Sequence, residues 1–186
     1  MKSALLAALL YTGLGLGANA ADLDQLNALR EGDMKKLAFH EAPKPVSDQA
    51  FTDAEGREHH LSDWQGKLVL LNFWATWCAP CREEMPHLDA LQKEMGGEDF
   101  EVVTLATGRN ALPAIQRFFD EVDVTALPIL TDPKQAVARE MAVLGLPITV
   151  ILNPEGQEIA RLQGGADWNS DSAKAILTAL MAPATD

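Results

Sequence analysis

Cysteine is scarce in this chain: its 186 residues hold only two, Cys78 and Cys81. Two thiols cannot build a disulfide framework or a four-cysteine zinc site. Basic residues are also few, 15 Lys and Arg against 27 Asp and Glu, for a formal net charge of -12. With no basic run, the chain is a poor nucleic-acid binder. No apolar run reaches the ~20 residues of a membrane-spanning helix. There is no internal repeat, no low-complexity tract and no Gly-rich phosphate loop; Gly164-Gly165 reads as a strand end. What remains is an ordinary globular composition, 47% hydrophobic and 23% charged, with a mean hydropathy of -0.05. That suits one domain with a sizeable core and an appendage.

The N-terminus reads as a targeting segment. Met1-Lys2 is a positive start, Ser3 to Gly17 is uncharged and rich in Ala and Leu, and Ala18-Asn19-Ala20 offers small residues at a cleavage site. These are the three parts of a secretory signal over residues 1–20, cleaved after Ala20. The alternative is a retained membrane anchor. Either way the folded part is exported, and the leading compartment is the bacterial periplasm. That space is oxidising, so a free dithiol there must be actively kept reduced.

Residues 21–45 are expected to form a helical arm and a linker. Leu23, Leu26 and Leu29 recur on one face, as do Met34, Leu37 and Ala38, with Gly32 as a break. Pro43 and Pro45 close the segment as an extended linker. From Val46 onward strand and helix patterns alternate. Phe51-Thr52 and His59 to Leu61 flank a hairpin turn. Leu68 to Trp74 is an apolar run interrupted only by Asn72, as in a strand buried on both faces. Helices are expected over Cys81–Met95, Leu112–Asp120 and Pro133–Met141, the last capped by Thr131 or Asp132. Strands are expected over Glu101–Thr107, Ile129–Leu130, Ile148–Leu152 and Glu158–Gln163. A last helix carries Ala173, Ile176, Leu177, Leu180 and Met181. The order indicates an α/β fold, a mixed central sheet with helices on its faces.

Trp74-Ala75-Thr76-Trp77-Cys78-Ala79-Pro80-Cys81 falls where a buried strand gives way to a helix. Cysteines three apart on a first helical turn lie on one face and can bridge. Cys78 takes the N-terminal edge, where free N–H groups and the macrodipole favour a thiolate. Cys81 lies one turn inside. The outer sulfur can attack a partner's disulfide and the inner one can resolve the mixed disulfide. Pro80 pre-sets the helix start. A static bridge over so short a loop stabilises little, and a metal would need further ligands, with only His87 close in sequence.

At Phe73-Trp74-Ala75-Thr76-Trp77-Cys78-Ala79-Pro80-Cys81-Arg82, with Glu84 and Pro86 following, the chain resembles the thioredoxin superfamily. More narrowly it resembles the TlpA-type exported thioredoxins, a group related to ResA and to the cytochrome c maturation thioredoxins. The resemblance covers about Val46 to Met181, so residues 46–186 form the expected thioredoxin-like domain. It implies a thioredoxin fold, dithiol–disulfide exchange by Cys78 and Cys81, and no bound cofactor or metal. It also implies a cis-proline opposite the cysteines. Of Pro113, Pro128 and Pro147, only Pro147 directly precedes a long apolar strand that runs into a hairpin. Trp77, Ala79, Pro80, Leu146 and Pro147 are then the substrate groove, supported by Asn72, Trp74 and Pro86. The 66 residues from Cys81 to Pro147 exceed the minimal fold, and Glu101 to Asp132 can supply one extra β-α unit before the cis-proline.

The chain departs from the minimal thioredoxins at Asn72, where they bury an Asp. An amide cannot act as base for Cys81, so another group or water must. Glu83 and Glu84 suit the helix dipole but oppose a thiolate at Cys78, and Arg82 partly offsets them. His59-His60 reads as an exposed strand-end pair rather than a metal site. Trp64 and Trp168 read as packing.

The resemblance implies a disulfide reductase acting on exported proteins, either copper-site assembly factors or apocytochrome c. It implies re-reduction by a membrane thiol donor of the CcdA/DsbD type, a monomeric state and no nucleic acid. The competing class is a copper-binding metallochaperone of thioredoxin fold, using Cys78, Cys81 and a histidine. A peroxidase of this fold would place Thr or Ser three residues before the reactive cysteine, where Ala75 stands.

Overall fold

The computed structural model describes residues 18–182. Most of the stretch that carries the signal-peptide or anchor reading, residues 1–20, lies outside them. The elements are α1 (Ala18–Ala28), β1 (Ala38–Lys44), β2 (Phe51–Asp53), β3 (Glu58–His59), β4 (Leu68–Trp74), α2 (Ala79–Met95), β5 (Phe100–Thr107), α3 (Leu112–Glu121), β6 (Leu130–Asp132), α4 (Ala136–Glu140), β7 (Ile148–Leu152), β8 (Glu158–Gln163) and α5 (Asp171–Met181). Short 3-10 turns cover Gly32–Lys36 and Leu61–Trp64. No helix of the described residues is long and apolar enough to cross a membrane.

All eight strands join one mixed sheet in the order β1-β8-β7-β4-β5-β6-β2-β3. β4 is central, parallel to β5 and antiparallel to β7. Every one of its residues is buried, which is why its sequence is a near-continuous apolar run. Its side chains alternate between two cores. Leu68, Leu70 and Trp74 pack with Met85 and Leu88 of α2, Phe118 and Phe119 of α3 and Ile176 of α5. Val69, Leu71 and Phe73 pack with Val103, Val150 and Val137 of α4 on the other side. The sheet therefore fixes the C-terminal end of β4, from which the cysteine segment emerges, against both neighbouring strands.

The N-terminal segment differs from the expected arm and linker. The helix ends at Ala28, Gly32 turns the chain at φ 50, and residues from Ala38 form a true strand. β1 covers the outer edge of β8, with Ala38 opposite Arg161 and Phe39 opposite Ala160. Pro43 sits within it because an edge strand has one unpaired side on which a missing N–H costs nothing. Met34 and Leu37 are fully buried in the main core. The Ser172 hydroxyl donates to the Leu29 carbonyl at 2.7 Å and accepts from the Glu31 N–H at 3.0 Å, tying the segment to α5. Structurally it belongs to the domain, and position 46 marks no break.

Two smaller differences have local causes. β3 is only Glu58–His59, because Leu61 turns inward to start a 3-10 turn and is buried. The helix expected over Pro133–Met141 is confined to Ala136–Glu140, since Gln135 adopts a left-handed φ of 55. The buried Asp132 carboxylate accepts from the N–H groups of Ala136 (2.7 Å) and Ala138 (3.0 Å), satisfying that helix start. The Glu101–Asp132 stretch holds all but the first residue of β5, the whole of α3, and β6.

Candidate active site

Cys78 is the N-cap residue of α2, in extended conformation with φ -91. Its N–H donates to the Ala75 carbonyl (3.1 Å), and its own carbonyl accepts from the Arg82 N–H (3.1 Å), the first bond of the helix. Pro80 stands in the first turn, where the missing N–H has no partner to lose. Cys78 and Cys81 are joined by a disulfide with Cα atoms 5.3 Å apart. Their exposures differ: Cys78 keeps 6% of its surface and Cys81 none. Both are buried, but Cys78 caps the positive end of the helix and keeps some surface, while Cys81 is sealed one turn inside.

The surroundings of the outer sulfur are open. Trp77 is 66% exposed, and Ala79 and Pro80 are exposed. Trp74 is the reverse, buried and stacked on Phe119 with ring centroids 5.7 Å apart. Asn110 holds the intervening turn: its Oδ1 accepts from the Thr76 N–H (2.8 Å) and hydroxyl (3.0 Å). On the other side of β4 the Leu146-Pro147 peptide is cis. Because Phe73 pairs with Ile148, Pro147 comes level with Trp74, at the sheet end where the cysteines begin. Leu144, Gly145, Leu146, Pro147 and Gly164 line a hollow of about 210 Å³ there. Leu144, 95% exposed, was not singled out from sequence; its loop position beside Pro147 was the available signal. Pro86 lies within α2, half-buried, without ending the helix.

Asn72 has a definite partner. Its side-chain amide donates to Glu84 Oε1 (2.7 Å) and to the Thr149 hydroxyl (2.9 Å), and the Ala166 N–H donates to Glu84 Oε2 (3.1 Å). Glu84 therefore turns from α2 toward the sheet and retains only 2% of its surface. Burial pushes its carboxyl from 4.5 up to about 7, although the bonds from Asn72 and Ala166 pull the other way. It shares the inward face of α2 with Cys81, one turn earlier, and lines a cavity of about 310 Å³ with Asp33, Pro80, His87, Ala166 and Asp167. A carboxyl poised near neutrality beside the buried cysteine's turn is suited to proton transfer. Sequence reasoning named Glu84 as part of the motif and as a negative charge at the helix start, but not as a buried acid. The signal for its burial was Asn72, a polar side chain in an all-buried strand that must find a partner.

Of the other charges around the helix start, all but Glu83 are engaged. The Arg82 guanidinium lies over the Phe118 ring, 4.0 Å from its centroid, and reaches Glu121 at 3.3 Å. Glu83 is exposed. His87 bonds Asp167 at 2.6 Å, and His59 bridges Asp53 and Asp63, each at 3.3 Å. Among the described residues no three His, Cys, Asp or Glu side chains are grouped to hold a metal ion.

A family model for AhpC/TSA proteins matches residues 41–159, well over half of the chain. The chain belongs to the AhpC/TSA family. It is 29% identical over 136 residues to the thiol-disulfide oxidoreductase ResA of Bacillus cereus, covering 73% of this chain and 78% of that one. Among solved structures it is similar to a Chlorobium tepidum protein described as a thiol:disulfide interchange protein DsbE, with a TM-score of 0.66 at 24% identity over 75% of this chain and 97% of that one. It is also similar to the exposed lipoprotein thioredoxin Etrx1 of Streptococcus pneumoniae, with a TM-score of 0.59 at 28% identity over 72% and 98% of the two chains. With its Cys78–Cys81 disulfide, this family member is a thioredoxin-like thiol–disulfide oxidoreductase of the ResA type. Ala75, buried three residues before Cys78, offers no hydroxyl to bind a peroxide.

Proposed function

We propose that this protein is an exported disulfide reductase. The observation that carries the reading is the unequal placement of the two cysteines, Cys78 capping α2 with a remnant of surface and Cys81 sealed one turn inside. In the reduced protein the Cys78 thiolate attacks a partner's disulfide, and the partner's second sulfur leaves as a thiolate and takes up a proton. Cys81 gives its proton to the Glu84 carboxylate and attacks the Cys78 sulfur. The partner is released as a dithiol, and two electrons have passed from the protein to it. A membrane dithiol carrier of the CcdA/DsbD type then re-reduces Cys78–Cys81, and the protein works as a monomer.

The groove for the partner is Trp77, Ala79 and Pro80 on one side of the disulfide and Leu146 and Pro147 on the other, with Asn72, Trp74 and Pro86 supporting it. An extended segment laid against Leu146 would add to the sheet end. Copper-site assembly factors and apocytochrome c are the partners that the resemblance favours. The N-terminal pattern supports work in the periplasm, and the similar Etrx1 is named as an exposed lipoprotein.

The direction follows from how little holds a thiolate at Cys78. Ala79-Pro80 brings no histidine, Arg82 is spent on Phe118 and Glu121, and Glu83 adds negative charge. The helix dipole, worth about 0.3–1 kcal/mol, remains. A weakly stabilised thiolate gives up electrons readily, so the potential should lie below about −200 mV. Equilibration against glutathione, read by fluorescence, tests this. A value near the ~ −120 mV of strong oxidants of this fold would sink the reductase reading.

A further inference from the structure

The two flanks of the disulfide differ in charge. On the β8–α5 side of α2 the cavity beside Pro80 is lined by four acids, Asp33, Glu83, Glu84 and Asp167, against Lys36, which pairs with Asp33, and His87, which is bonded to Asp167. On the α3 side a groove of about 380 Å³ begins at Thr76 and Trp77 and is walled by Arg82, Arg117, Phe118 and Glu121. Glu121 is held by Arg82, which is itself laid on Phe118. Arg117 is exposed and makes no ion pair among the described residues. Arg109 is exposed too, in the loop whose Asn110 is bonded to Thr76. With Arg82 paired to Glu121, the groove's lining keeps one positive charge, Arg117, beside Trp77 on a chain of net charge -12.

We propose that this groove reads the sequence beside the partner's cysteine, accepting a segment that carries a carboxylate side chain on one side of that cysteine. The proposal rests on the reductase reading above. A segment joined to Cys78 passes over Trp77 on this flank and over Leu144 and Leu146 on the other, since α3 follows β5 and Pro147 precedes β7 on opposite sides of β4. Its acidic residue meets Arg117. A basic residue there meets the same guanidinium and is repelled. Arg117 is thus a specificity-determining residue.

The test uses the reduced full chain and short single-cysteine peptides held as mixed disulfides with thionitrobenzoate. Attack by Cys78 on the peptide sulfur releases the coloured thiolate. Glu, Gln or Lys is placed two residues before or after the cysteine. For one of the two placements Glu should react about two- to fivefold faster than Gln at low ionic strength, and Lys slower than Gln, the scale of an exposed charge pair. The spread should shrink in 0.5 M salt. Arg117→Glu should reverse the order, and Arg117→Gln should flatten it. Equal rates for all three peptides in wild type, or an order that Arg117→Glu does not alter, overturn the inference while the reductase reading stands. If no peptide reacts, the role of Cys78 falls and the inference falls with it.

Discussion

The side-chain amide of Asn72 meets the carboxylate of Glu84 at 2.7 Å, both buried, one from the central strand and one from the redox helix. The pair replaces a buried acid on the strand by a buried acid on the helix, held by an amide from the strand. It carries the clearest pH signature of the molecule.

Glu84 titrates near 7 in the folded protein and near 4.5 when unfolded. Between these values the folded state binds the extra proton, so stability should fall as pH rises from about 4.5 to about 7 and level off above. The upper limit of the loss is about 3 kcal/mol. Urea titrations of the oxidised protein across pH 4.5–8 measure it. In Glu84→Gln the slope should largely vanish, whatever the absolute stability. His60, also shifted upward, adds a smaller slope of the same sign that survives the substitution. Resolution of a mixed disulfide should likewise speed up with an inflection near pH 7 in wild type and lose it in Glu84→Gln.

Cys78 and Cys81 should differ sharply toward alkylating agents. In the reduced protein, limited iodoacetamide should label Cys78 well before Cys81, read by peptide mass. Cys81→Ser should trap a long-lived mixed disulfide with partners and Cys78→Ser none. Labelling that favours Cys81 would reverse the assigned roles.

Leu37, fully buried beside Met34, makes the N-terminal segment part of the core. Leu37→Ala should cost about 2–5 kcal/mol in urea unfolding. A chain starting at residue 46 should lose a comparable amount or more. An appended arm would instead leave the stability of the rest unchanged.

Asp89, on α2, accepts from the N–H groups of Thr125 (3.0 Å) and Ala126 (2.7 Å) and pairs with Lys93 at 2.6 Å. Asp89→Ala strips a loop of both acceptors and should destabilise by about 1–3 kcal/mol. Trp77→Ala, on an exposed side chain, should stay within about 0.5 kcal/mol yet slow attack on peptide disulfides.

Much of this was legible in sequence. β4, β5, β7, β8, α2, α3 and α5 announce themselves by apolar period and by Pro or Gly at their ends. The segment before residue 46 did not, because Met34, Leu37 and Ala38 fit a helical stripe although Ala38 opens a strand. β1 is also mostly exposed, as an edge strand is, and its pairing with β8 is set by residues at the far end of the chain. The cysteine motif located the redox centre. Glu84 was hidden because a glutamate near a helix start ordinarily faces solvent, and only the burial of Asn72 turns it inward. The charge asymmetry of the two grooves was illegible, since Arg117 and Thr76 come together only when α3 returns beside β4.

The place of β1 also orders the making of the molecule. Its neighbour is β8, the last strand of the sheet, and the two are joined by contacts such as His40 with Glu158 at 2.8 Å. A chain that emerges from its N-terminus carries this strand unpaired until almost all the rest has followed. The first strand to appear is the last to be seated, and until then β8's future partner is an open edge available to chaperones, proteases or other strands. Its pairing with β8 is among the longest-range contacts of the fold, the kind whose loop closure slows folding.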